Sequence, residues 1–283
     1  MILRWSAGLI VAAMNTRTNR IEAGLAALSA AGRKGLLPYV TAGVPNIETT
    51  ERILEALADL GVTAVELGIP YSDSIADGPV IQASFARALD RGVRVREILA
   101  MVKRFRRSHE LPLLAMLSYS IVCRVGVDAF IGRVAEAGID GLILPDLPLE
   151  EAPPVAERVA AAGLCLPLLV SPASPPERRR RIAQLSSGFV YYISVTGITG
   201  ERNQLPPDLV QNVHDLRQAS GQPVVVGFGI GTADQVRLVC QEADGAIIGS
   251  ALVRRILEAE DAGQDVVQVA ASAVREWMTG LPG

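Results

Sequence analysis

A chain of 283 residues that is 49% hydrophobic and 20% charged can bury a sizeable core, which excludes wholesale disorder and fits one large α/β domain or two smaller ones. Its 27 Lys and Arg against 30 Asp and Glu leave a net charge of −3, which offers no footing for a nucleic-acid partner. Cys123, Cys165 and Cys240 are widely spaced and the only histidines are His109 and His214, a set that argues against zinc, a disulfide framework or a histidine triad and fits a reducing compartment.

Residues 1–14 (MILRWSAGLIVAAM) form an apolar run too short to span a bilayer. The run leads straight into NTRTNRIEAGL, which reads as a helix start. Residues 1–18 are therefore expected to be a poorly ordered extension, with Met14 as an alternative start, rather than an export or anchoring segment. No membrane partner is expected.

From residue 35 the chain alternates short apolar runs with longer amphipathic stretches. The runs are 35–41, 63–69, 112–119, 141–146, 164–171, 189–195, 223–229 and 244–250, each nearly continuous in apolar residues, as strands buried on both faces of a parallel sheet should be. Between them, residues 49–60 place Ile53, Leu54, Leu57 and Leu60 on one helical face, and 127–137, 150–163, 207–219 and 232–242 behave similarly. Asn46, Ser174 with Pro175 and Pro176, and Thr232 mark helix starts. This rhythm, without a linker or a composition break, predicts a single (β/α)8 TIM barrel over residues 19–283 with an extra N-terminal helix. A doubly wound open sheet is the runner-up, weakened by the lack of a Rossmann glycine fingerprint.

A barrel places its active site at the C-terminal ends of its strands. The second run continues into ELGIPYSDSIADGP (66–79). Glu66 stands within an apolar strand, where burial would raise its proton affinity toward the range useful for proton transfer. Asp77 follows in a loop. Two carboxyl groups, one on a rigid strand and one on a loop, suit general acid/base chemistry; the alternative is that Glu66 serves a structural ion pair and Asp77 caps the next helix. Glycines gather after the sixth, seventh and eighth runs, in SVTGITGER, GFGIGTADQ and GSA, where amides at helix starts can hold a phosphate; tight βα turns are the alternative. Arg178–Arg181 reads as a solvated face, His109 and His214 as surface residues, and Trp277 as packing for the last helix.

ELGIPYSDSIADGPVIQ, followed in order by GIDGLILPDLP, YYISVTGITG, VVVGFGI and AIIGSA, resembles the tryptophan synthase alpha chain family over residues 19–258. The resemblance implies cleavage of indole-3-glycerol phosphate to indole and glyceraldehyde 3-phosphate in tryptophan biosynthesis, without metal or cofactor. It also implies a cytoplasmic lyase partnered in an α2β2 tetramer by a pyridoxal-phosphate beta chain. On this resemblance Glu66 matches the general acid/base and Asp77 the acid that holds the indole N–H. Gly200, Phe228, Gly229, Gly249 and Ser250 match the phosphate site. Thr199 matches a residue of the sixth loop that closes over Asp77; Tyr39, Tyr191 and Asp146 match pocket positions. Two stretches depart from the family pattern. Ser72-Asp73-Ser74 stands where SDP is usual, and Ser118-Tyr119-Ser120-Ile121 where Tyr-x-Asn-Pro or a near variant is common. Both lie toward the beta chain in the family, so Asp73, Ser74 and Ser120 are expected to face the partner. The open alternatives are a free-standing lyase, another phosphate-binding barrel, and a regulatory subunit that binds a phosphorylated ligand without turnover. The apolar runs hold no lysine, which sets an aldolase of the Schiff-base type aside.

Overall fold

The computed structural model describes residues 19–74, 77–193, 208–227 and 229–282. Eight parallel strands form one sheet: β1 (Gly35–Thr41), β2 (Val65–Gly68), β3 (Leu113–Met116), β4 (Gly141–Ile143), β5 (Leu169–Val170), β6 (Val190–Ile193), β7 (Val224–Gly227) and β8 (Gly245–Ile248). The order β4-β3-β2-β1-β8-β7-β6-β5 leaves β4 and β5 at its two ends. Gly141 and Cys165 bridge those ends in parallel, with Leu142 N donating to Cys165 O at 2.9 Å and Cys165 N to Asp140 O at 3.0 Å, so the sheet closes into a barrel. The seam is tight. A Cβ on Gly141 would stand 2.5 Å from the Cys165 sulfur and 2.8 Å from its carbonyl oxygen, so only glycine fits.

Each predicted run contains a strand, but every strand except β1 is shorter than its run, and β4 and β5 are the shortest. Pro145 lacks an amide to continue β4, and Pro167 separates the Cys165 bridge from β5.

The described helices are α1 (Arg20–Ala30), α2 (Ile47–Leu60), α3 (Pro79–Asp90), α4 (Val95–Phe105), α5 (Tyr119–Val125), α6 (Val127–Ala137), α7 (Ala152–Ala161), α8 (Pro176–Leu185), α9 (Leu209–Ser220), α10 (Ala233–Val239), α11 (Ser250–Asp261) and α12 (Val266–Met278). In α2 the Asn46 side chain accepts from Thr49 N at 2.7 Å, and Thr50, Ile53, Leu54 and Leu57 form the buried face. Thr232 caps α10 in the same way, whereas Pro175, not Ser174, is the cap of α8. Two helices, α3 and α4, fill the crossover from β2 to β3, and α5 precedes α6 after β3.

The N-terminal end of the barrel is held by two buried carboxylates in like positions. Asp140, just before β4, accepts from Leu113 N, Arg106 Nη2 and Arg20 Nη1, each at 2.8 Å. Asp244, just before β8, accepts from Val224 N and Arg217 Nε, each at 3.0 Å. Each anchors the strand it begins to the preceding strand in the chain. α1 is joined to the same end: Asn19 caps it, and the Asn19 amide donates to Asp140 O at 2.7 Å and Gly163 O at 3.0 Å. Trp277 of α12 is fully buried and donates from Nε1 to Gly231 O at 2.9 Å, fastening the last helix to the loop after β7. Among the described residues, no helix is long and apolar enough to cross a membrane.

Candidate active site

The C-terminal mouth of the barrel gathers two carboxyl groups and two tyrosines. Glu66 and Gly68 belong to β2, and Tyr39 of β1 is the register partner of Glu66. The Tyr39 ring leans along the strand direction until its hydroxyl lies over Gly68, where an added Cβ would be only 1.9 Å away. Tyr191 of β6 repeats the arrangement. Its register partner is Val225, and its hydroxyl lies over Gly227, 2.4 Å from where a Cβ would stand. Two glycines thus make room for two aromatic rings, one between β1 and β2 and one between β6 and β7.

Glu66 is 1% exposed, and neither carboxyl oxygen has a hydrogen-bond partner among the described residues. It has no ion pair there either, so the structural ion-pair reading finds no support. Burial, with the charge of Asp77 second, pushes its pKa up to about 8. Asp77 is 5% exposed. Burial raises its pKa to about 6, opposed by a hydrogen bond from the Tyr71 hydroxyl at 2.9 Å and aided by the charge of Asp146. The cap of α3 is Gly78, not Asp77, so the Asp77 side chain is left out of helix capping. Burial, followed by nearby acidic groups, holds the hydroxyls of both Tyr39 and Tyr191 protonated well above the usual range. Around neutral pH the two values stand apart, with Glu66 favouring its protonated form and Asp77 its charged form.

Asp146, in the turn after β4, accepts from Ser118 Oγ at 2.6 Å and from Tyr119 N at 2.7 Å, tying that turn to the start of α5. Ser120 is exposed and joins the same network through a 2.6 Å contact between its hydroxyl and that of Ser118. Asp73 is exposed. Ser74 is buried in the chain on its own, and its carbonyl accepts from Asp77 N and from Gln82 Nε2, both at 3.0 Å. Tyr71 is the residue that the sequence reading passed over; the available signal was an aromatic hydroxyl six positions before the loop carboxylate.

Of the positions expected to hold a phosphate, Gly229 takes a left-handed φ of 78° that favours glycine. Gly249 caps α11 and lies beside Tyr39, with a would-be Cβ 3.7 Å from the Tyr39 Cβ, and Ser250 opens the helix. In the first turn of α11 Leu252 N donates to Gly249 O at 2.9 Å, and the amides ahead of it, Ser250 N and Ala251 N, stand at the positive end of the helix dipole. Thr199, Gly200 and Phe228 lie outside the described residues. A cavity of about 660 Å³ lies at the other end of the barrel, beside α1. Its Arg217 is paired with Asp244 and its Gln222 amide donates to Ala183 O and Ser186 O, so these polar groups are already engaged.

The model of the tryptophan synthase alpha chain family matches residues 25–280. The chain belongs to this family. It is 42% identical over 256 residues to the tryptophan synthase alpha chain of Rhodopirellula baltica, covering 88% of this chain and 92% of that one. It is 48% identical to that of a Synechococcus strain, covering 81% and 85%. The crystal structure of tryptophan synthase subunit alpha from Legionella pneumophila superposes with a TM-score of 0.86 at 36% identity, covering 93% of this chain and 98% of that one. A chain of the Pyrococcus furiosus tryptophan synthase α2β2 complex superposes with a TM-score of 0.80 at 36% identity, covering 87% and 98%. The reaction of the tryptophan synthase alpha chain is a carbon–carbon lyase reaction: cleavage of indole-3-glycerol phosphate to indole and glyceraldehyde 3-phosphate, in tryptophan biosynthesis.

Proposed function

We propose that Glu66 and Asp77 carry this cleavage as an acid/base pair. The observation that supports the assignment is a buried carboxyl group, Glu66, with no partner among the described residues and a proton affinity raised to about 8, beside a buried acid, Asp77, that ionises near 6. The bond to be broken joins C3 of the indole ring to the glycerol chain. Protonation of C3 by Glu66 turns the ring into an electron-accepting cation, whose positive charge reaches the ring nitrogen. Asp77 stabilises that cation by accepting the N–H. Glu66, now a carboxylate, takes the proton of the adjacent glycerol hydroxyl. The new aldehyde forms as the carbon–carbon bond breaks and its electron pair returns to the ring. Glu66 ends the cycle protonated, as it began.

Gly229, Gly249 and Ser250, with Gly200 and Phe228, are assigned to the substrate phosphate, which suits the amide-rich start of α11. Tyr39 and Tyr191 wall the pocket, Asp146 holds the third and fourth loops together, and Thr199 belongs to the closing loop. Asp73, Ser74 and Ser120 are assigned to the face that meets a beta chain in an α2β2 assembly. The catalytic barrel is taken as residues 19–283, with residues 1–18 as an extension. The reaction is placed in the cytoplasm, in keeping with Cys123, Cys165 and Cys240, all free thiols.

The test is indole release from indole-3-glycerol phosphate by the purified chain, with Glu66→Gln alongside and a beta chain from the same source added in a second set. The expected result is indole from the wild type, a loss of about 10²–10⁴-fold in the variant, and acceleration by the beta chain. Indole without a beta effect would point to a free-standing lyase. No indole from folded protein in either set would overturn the assignment.

A further inference from the structure

Tyr71 follows β2 and Pro70, and its hydroxyl donates to Asp77 Oδ2 at 2.9 Å. Its ring packs on Phe85 of α3, with centroids 5.2 Å apart and planes inclined at 54°, and Phe85 is itself fully buried. The same helix fixes the main chain of Asp77. Gln82 Nε2 donates to Asp77 O at 2.8 Å, Asp77 N donates to Ser74 O at 3.0 Å, and the next residue, Gly78, begins the helix. Donor and acceptor are therefore both mounted on α3, and the hydrogen bond between them sets the remaining side-chain torsions of Asp77. Tyr71 is the one hydrogen-bond donor to this carboxylate among the described residues, and it donates to Oδ2, with none of them donating to Oδ1.

The other titratable groups that act on Asp77, or that Asp77 acts on, bring no positive charge. They are Tyr39 from β1, Glu66 from β2, Tyr191 from β6, and Asp146 from the turn after β4. Burial works against the ionised form of Asp77, and the Tyr71 hydroxyl works for it.

We propose that Tyr71 is a positioning residue that pins one oxygen of Asp77 and keeps that carboxylate charged, so that the free oxygen is presented to the N–H of the substrate ring. The proposal deepens the lyase assignment above and rests on it. Tyr71 touches Asp77, not the reacting atoms.

The variant that isolates the hydroxyl is Tyr71→Phe, which keeps the ring on Phe85. Two readouts are needed: the titration of the Asp77 carboxyl carbon by ¹³C NMR, and the pH profile of kcat/KM for indole release. The wild-type profile is expected to be bell-shaped between limbs at about 6 and about 8, the Asp77 and Glu66 values, read as properties of the interacting pair. In Tyr71→Phe the Asp77 titration and the acidic limb should both move up by about one pH unit, and kcat/KM at neutral pH should fall by about tenfold. An Asp77 titration that stays in place in the folded variant overturns the proposal. So does a lower rate with an unmoved acidic limb, which would leave Tyr71 a packing role alone. Absence of indole from the wild type would instead remove the lyase assignment, and the NMR titration would still decide whether Tyr71 governs the charge of Asp77.

Discussion

Glu66 keeps its proton at neutral pH because no described group offers its carboxylate a hydrogen bond and the nearest charge is another acid. That environment has a consequence for stability as well as for catalysis. The unfolded chain gives up this proton near the ordinary value of 4.5, while the folded chain keeps it to about 8. Between those values the folded state binds more protons than the unfolded state, so rising pH weakens folding. The stabilising contribution of the neutral group is whole below 4.5 and is gone once pH has passed 8. Denaturant unfolding of wild type and Glu66→Gln should therefore diverge from pH 4.5 to 8, with the variant gaining several kcal/mol relative to wild type over that window and the gap constant above it. A gap that does not change with pH would mean that Glu66 is solvated or paired in solution. Sequence alone pointed to Glu66, because a carboxyl group inside a buried apolar run is conspicuous. It did not point to Tyr71, because an aromatic residue in a loop is unremarkable until its hydroxyl is seen on Asp77.

At the scale of elements, the mouth is shaped by pairs of neighbouring strands. Tyr39 on β1 is accommodated by Gly68 on β2, and Tyr191 on β6 by Gly227 on β7. Any side chain at Gly68 must displace the Tyr39 ring, whose hydroxyl and ring carbon lie 1.9 and 2.4 Å from the position of the added Cβ. Gly68→Ala is expected to cost about 1–3 kcal/mol in unfolding free energy and to raise KM, since the ring moves into the pocket. In a Tyr39→Leu background the same substitution should cost markedly less, and a double-mutant cycle would read the coupling. Additive costs would show that the two residues do not compete for space. The glycines were legible as a class of loop signal after the later strands. Gly68 and Gly227 were not legible in this role, because their meaning depends on a tyrosine in the adjacent strand.

The whole molecule separates chemistry from anchorage. The groups proposed to react, Glu66 and Asp77, lie at one end of the barrel, and the buried carboxylates Asp140 and Asp244 lie at the other. Asp140 draws together β3, β4, α1 and the segment after α4 through Leu113 N, Arg20 and Arg106. Asp140→Asn would take a counter-charge from Arg106 and from Arg20, which keeps its pairing with Glu110, at a site that is 4% exposed. It is expected to cost about 3–5 kcal/mol in stability, read by urea unfolding, while the activity of the protein that remains folded stays near the wild-type value. Lost activity in fully folded Asp140→Asn would show that the two ends of the barrel are coupled.

The eight strand positions, the barrel, the carboxyl pair and the glycine-rich mouth were readable from the chain itself. Each is written in local periodicity or in a residue type that conflicts with its neighbours. Other features came only with the tertiary structure: the Gly141–Cys165 closure of the barrel, the tyrosines leaning over glycines, the twin anchors Asp140 and Asp244, and the Tyr71–Asp77 bond. Each of these depends on distances between atoms set by strand register and helix docking. Many sequences with the same apolar rhythm would place those atoms differently, so the rhythm determines the fold and the packing determines the site.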